Sequence, residues 1–161
     1  MNPRIYVETT IPSFYFEVRE EPDMVARRGW TRSWWTRASG QCELVTSAAV
    51  IDELERGAFP SRDSCLRLLE PLVVLAVESP VLDIVQTYVD RHVMPANPVG
   101  DALHLALASY HQCDFLVTWN CRHLANAKKF SHIRRVNTLL GLCVPTLVTP
   151  LELLGEEDDE R

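Results

Sequence analysis

Short β-branched runs alternate with longer segments of helical spacing along almost the whole chain, and that alternation leaves few folds open. Strand candidates are Arg4–Glu8, Leu44–Ser47, Val73–Val77, Phe115–Thr118 and Thr146–Val148. Between them, helical spacing covers Asp23–Ala38, Ala48–Arg56, Ser61–Leu69, Pro80–Arg91, Asp101–Cys113 and Ala125–Leu140. Strands regularly separated by helices build parallel sheets covered on both faces. The expectation is an α/β protein, a three-layer α/β/α fold around a central, mainly parallel five-stranded sheet. Ser79-Pro80 reads as a cap with a first-turn proline, and Gly29 as a kink in its helix. In such folds the functional crevice lies beyond the carboxyl ends of the strands. Glu8 and the residues at and after Ser47 and Thr118 stand at such ends.

A length of 161 residues predicts one domain, residues 1–151, followed by an acidic, frayed tail over 152–161. The net charge of −6 argues against a generally adhesive nucleic-acid binder. The charge is uneven, however. Arg122 to Arg135 holds five basic residues and no acid, and Met24 to Ala38 holds four arginines and no acid. A polyanionic substrate is therefore admitted locally. No apolar run reaches the length of a membrane span, and the N-terminus lacks a signal-peptide core. The five cysteines are scattered without a CxxC pair and read as reduced thiols. A cytoplasmic protein is expected. Cys113, Cys121 and His123 match no zinc spacing. The chain has no glycine-rich phosphate loop and no GxSxG, which removes support for nucleotide kinases, dehydrogenases and α/β hydrolases.

Three acids sit at element edges beside apolar residues. Glu8 ends the first strand candidate, Glu53 lies on the helix entered through "TSAAVIDEL", and Asp101 opens the helix "DALHLALA". Carboxylates gathered in a half-buried place are costly unless a cation neutralises them. Hard oxygen ligands favour Mg²⁺ or Mn²⁺. Such an ion polarises a phosphoryl oxygen and turns water into a nucleophile for phosphodiester hydrolysis. Taken singly, Asp101 also reads as a helix N-terminal acid and Glu53 as one solvated acid beside Asp52 and Glu55.

In this order, the motifs resemble PIN-domain proteins, in particular the VapC-type toxin ribonucleases. The string "VETT" places Glu8 at that family's first acid, with Thr9 and Thr10 as its hydroxyl neighbours. Glu53, after a strand ending in Ser47, stands at the second, and Asp101 at the third. In "DFLVTWNCRHLAN", Thr118 and Asn120 match the Thr-x-Asn element, and His123 stands where many members carry a last acid. The resemblance implies a metal-dependent endoribonuclease. Glu8, Glu53 and Asp101 would hold Mg²⁺ or Mn²⁺, with Asn120 completing or orienting the set. Thr9, Thr10, Ser47, Thr118, Arg122 and His123 would support the site or contact RNA. It also implies a homodimer, and a toxin neutralised by an antitoxin protein. Glutamate in place of aspartate at position 8 and the absent fourth acid leave an alternative: a catalytically weakened PIN fold acting as an RNA- or protein-binding regulatory module.

Two further features bear on the site. "MVARRGWTRSWWTRA" interleaves arginines with tryptophans, a pattern that suits RNA stacking. Trp30 and Trp34 share a helix face, which favours packing for the tryptophans and leaves the arginines available to a groove. His104 follows Asp101 by three residues on the same face and reads as a buried, hydrogen-bonded histidine and not a ligand.

Overall fold

The computed structural model describes residues 2–96 and 99–155. Its five strands are β1 (Arg4–Val7), β2 (Glu43–Ser47), β3 (Val73–Leu75), β4 (Phe115–Val117) and β5 (Thr146–Val148). Its helices are α1 (Thr10–Tyr15), α2 (Pro22–Ala38), α3 (Ala48–Arg56), α4 (Arg62–Leu69), α5 (Ser79–Asp90), α6 (Gly100–Tyr110), α7 (Phe130–Leu139) and α8 (Pro150–Leu154). The strands form one sheet in the order β3-β2-β1-β4-β5, and every pair is parallel.

Parallel strands covered on both faces lose the polar alternation of half-exposed strands. β1 shows this: Ile5, Tyr6 and Val7 are all buried. From β1 the chain moves outward through β2 to β3, then returns across β1 to β4 and β5. Right-handed crossovers taken in opposite directions put the connecting helices on opposite faces. Helices α1 to α4 therefore cover one face and α5 to α7 the other, which gives the α/β/α layering. The direction reverses between β1 and β4, so the crevice belongs at their carboxyl ends. Glu8 lies one residue past β1 and Thr118 one past β4.

Helix signals explain the ends that shape this crevice. Ser47 caps α3, its hydroxyl accepting from the Val50 amide at 3.2 Å. A capping box formed by Thr149 and Glu152 starts α8. The segment expected to fray from Glu152 is thus helical to Leu154, while 156–161 lie outside the described residues. Two further details differ from expectation. α2 runs unbroken through Gly29, where an added Cβ would meet nothing within 4 Å. A glycine in a helix lowers propensity without bending it when neighbours hold the turns. The helix expected over Ala125–Leu140 is split: Asn126 caps a single 3₁₀ turn, Ala127–Lys129, before α7 begins. Among the described residues no helix is long and apolar enough to cross a membrane.

Candidate metal centre

Glu8 is the most enclosed acid of the site, 4 % exposed. Its Oε1 accepts from the Thr10 amide at 3.1 Å, the Thr10 hydroxyl at 2.5 Å and the Thr118 hydroxyl at 2.6 Å. All three donors converge on one oxygen. No buried side-chain oxygen or nitrogen lacks a partner among the described residues, so Oε2, which takes no hydrogen bond, is open to the adjoining cavity. That cavity has a volume of about 440 Å³ and is lined by Glu8, Glu53, Asp101 and His104, with Asp52, Arg56 and Gly100 among its other walls. "VETT" is explained by this geometry. Thr10 and Thr118 fix a carboxylate by one edge, and Thr9 serves a different acid.

Thr9 donates to Glu53 Oε2 at 2.7 Å. The other oxygen of Glu53 faces His104 Nε2, also at 2.7 Å. The Glu53 side chain is 37 % exposed and that of His104 only 2 %. Burial works against the Glu53 charge, but the His104 hydrogen bond and charge, the Thr9 hydroxyl and Arg56 outweigh it and hold its carboxyl below the ordinary value. Burial likewise works against a charged His104. The Glu53 hydrogen bond and the charges of Glu8, Glu53 and Asp101 prevail and hold the imidazole above its ordinary value. Gly100 allows the close approach of α6 to Glu53: a Cβ there would lie 3.0 Å from Glu53 Oε1.

Asp101, half-buried in the first turn of α6, accepts from Asn120 Nδ2 at 2.8 Å. The amide of Asn120 is fixed from behind, because its Oδ1 accepts from the Arg122 and His123 backbone amides at 3.2 and 3.1 Å. With its oxygen occupied, Asn120 orients Asp101. Thr118 joins the two halves, since its hydroxyl accepts from the Asn120 backbone N–H at 2.9 Å while donating to Glu8.

Ligand atoms of Glu8, Glu53 and His104 lie within 4.8 Å of one another, a grouping able to hold a cation. Asp101 shares the cavity but stands outside that tight group. Several anticipated residues sit elsewhere. Ser47 is buried behind the site, at the cap of α3 and 2.7 Å from the Tyr6 hydroxyl. Arg122 is exposed, and half-buried His123 has its Nδ1 3.5 Å from Lys129 Nζ; neither lines the cavity. The arginines of α2 are used structurally: Arg28 and Arg32 donate to the Glu17 and Tyr15 carbonyls just beyond and at the end of α1. Trp34 is buried, whereas Trp30 is 36 % exposed and stacks on Trp119, with ring centroids 6.2 Å apart.

His104 is the residue that sequence reasoning placed correctly in the core but kept out of the site. Its burial and hydrogen bonds are as expected, and they tie it to Glu53. The available signal was its position three residues after Asp101, a polar side chain inside an otherwise apolar helix body. Tyr6 and Gly100 carried no comparable signal, because each reads locally as an ordinary strand or turn residue.

No protein-family model matches the sequence, and no curated protein matches it. Solved structures do. A toxin–antitoxin complex from Klebsiella pneumoniae aligns with a TM-score of 0.56 at 15 % identity, covering 78 % of this chain and 93 % of that one. VapBC2 from Rickettsia felis, bound to a DNA fragment from their promoter, aligns with a TM-score of 0.58 at 12 % identity, covering 90 % of this chain and 98 % of that one. The five-stranded parallel sheet and these two alignments show that the chain has the fold of these toxin–antitoxin structures, the PIN-like α/β/α fold expected from the sequence.

Proposed function

We propose that the protein is a Mg²⁺- or Mn²⁺-dependent endoribonuclease, the toxin of a toxin–antitoxin pair. One observation carries this reading. Glu8 is clamped through one oxygen by three donors, and its free oxygen opens into a cavity that Glu53 and Asp101 also line. A buried carboxylate fixed so that half of it remains unbonded is costly as a structural device and useful as a ligand. The carboxylates that line the cavity offer oxygen donors, which suit hard divalent cations.

Glu8, Glu53 and Asp101 would hold the ion, which when bound would polarise a phosphoryl oxygen and activate water. The chain's own residues prepare the rest. Thr10 and Thr118 fix Glu8, Thr9 fixes Glu53, and Asn120 fixes Asp101. Arg56 brings a positive side chain to the cavity wall, where a phosphodiester needs one. The two neighbouring structures are toxin–antitoxin complexes by name, which supports an antitoxin protein as partner; a homodimer and a cytoplasmic setting belong to the same reading.

Purified protein with Mn²⁺ is expected to cleave RNA, and D101N is not. Equal cleavage by both proteins would trace the activity to a contaminant and refute the assignment. Glutamate at position 8 and His123 in place of a fourth acid favour one second reading, the weakened regulatory module. RNA binding without cleavage at any Mn²⁺ concentration would select it.

A further inference from the structure

The tight grouping of Glu8, Glu53 and His104 leaves open whether the histidine would ligate the metal or serve a ligand. Its surroundings decide. Nε2 lies 2.7 Å from Glu53 Oε1, and Nδ1 lies 2.7 Å from the Tyr6 hydroxyl. Both ring nitrogens are therefore used. The residue is 1 % exposed and its ring lies tilted against Tyr6 with centroids 5.7 Å apart, so it cannot swing away without opening the core. Beyond it, the Tyr6 hydroxyl meets Ser47 Oγ at 2.7 Å, and Ser47 caps α3, the helix that carries Glu53. The contacts close a ring: the start of α3, Tyr6 of β1, His104 of α6, and Glu53 back on α3. Ligation through Nε2 would strip Glu53 of its buried donor, and ligation through Nδ1 would take from the Tyr6 hydroxyl one of its two buried partners.

We propose that His104 is a positioning residue that holds the Glu53 carboxylate in place for the metal, with Tyr6 and Ser47 holding the imidazole in turn, and that it does not ligate the ion. The inference rests on the metal-site reading above. A histidine locked between a carboxylate and a buried hydroxyl fixes the carboxylate's rotation as well as its position, and partners of this kind contribute to metal affinity from outside the ligand set.

The test uses Mn²⁺ as the probe, with its affinity measured by titration calorimetry and its ligands by pulsed electron paramagnetic resonance. Wild-type protein is expected to bind Mn²⁺ without the strong ¹⁴N coupling of a coordinated imidazole. H104A should weaken binding roughly 10- to 100-fold. H104Q, whose amide can still donate towards Glu53, should recover most of that loss. Y6F should weaken binding by a smaller factor although Tyr6 does not line the cavity. If H104A does not fold, H104Q and Y6F carry the comparison, each checked by circular dichroism. A ¹⁴N coupling present in the wild type and lost in H104Q would make His104 a ligand and overturn the proposal. So would Mn²⁺ affinity unchanged in both H104A and Y6F, or in Y6F alone where H104A does not fold. A folded wild type that binds no Mn²⁺ would overturn the metal-site reading itself, and this inference with it.

Discussion

Replacing Thr118 with valine removes one hydroxyl and keeps the shape of the side chain. That hydroxyl donates to Glu8 at 2.6 Å, accepts from the Asn120 backbone N–H at 2.9 Å, and is fully buried. A hydrogen bond to a charged acceptor contributes about 1.5–3 kcal/mol, and a polar group left unpaired costs on the order of 1 kcal/mol more. Thr10 still donates to Glu8 in the variant, which limits the loss. T118V should therefore destabilise the fold by about 2–4 kcal/mol, read as a midpoint shift in urea at constant m-value. In a chain of this size that corresponds to a fall of roughly 5–15 °C in Tm. T118S keeps the hydroxyl and should lose less than about 1.5 kcal/mol, the cost of one buried methyl. Equal destabilisation of T118V and T118S would show that packing and not the hydroxyl matters, and would refute the account of how Glu8 is held.

The metal-free protein should show a pH window set by the Glu53–His104 pair. The histidine's contribution is complete below its ordinary value of 6.5 and is lost as pH rises through its raised value in the fold. The glutamate's is complete above its ordinary value of 4.5 and is lost as pH falls through its lowered value. Stability in chelator should thus decline on both sides of the interval between them, and H104Q should remove the alkaline decline; a Tm in wild type that does not fall above pH 6.5 would contradict this. G100A places a methyl 3.0 Å from Glu53 Oε1 and should weaken Mn²⁺ binding by on the order of tenfold or less, with cooperative unfolding retained. Unchanged affinity by calorimetry would show that α6 does not constrain that carboxylate.

The layer order was legible because β-branched runs and helical spacing are strong, local signals. Glu8, Glu53 and Asp101 stood out for a related reason: a charge at an element edge beside apolar residues is locally anomalous. Their division of labour was not legible. That Thr9 would serve Glu53 while Thr10 serves Glu8 depends on a contact across 44 residues of sequence, which neither pattern nor propensity encodes. His104 shows the same limit. A histidine in an apolar helix announces burial, but its partners come from β1 and α3, and only the topology brings them together. Arg122 and His123 were drawn to the site by their closeness in sequence to Asn120. The chain turns there so that their backbone amides, and not their side chains, do the work. Gly29 failed as a kink because α2 is held from outside: Arg28 and Arg32 tie it to the end of α1 and the residue just beyond, and Arg37 in its last turn donates to the Leu154 carbonyl of α8.

The claim that the acids form a metal centre is tested most directly by anomalous diffraction at the manganese edge from crystals grown with Mn²⁺. The account predicts a peak in the cavity between Glu8, Glu53 and Asp101, lost in crystals of E8Q. A cavity without a peak at saturating Mn²⁺, or a peak that persists in E8Q, would contradict it.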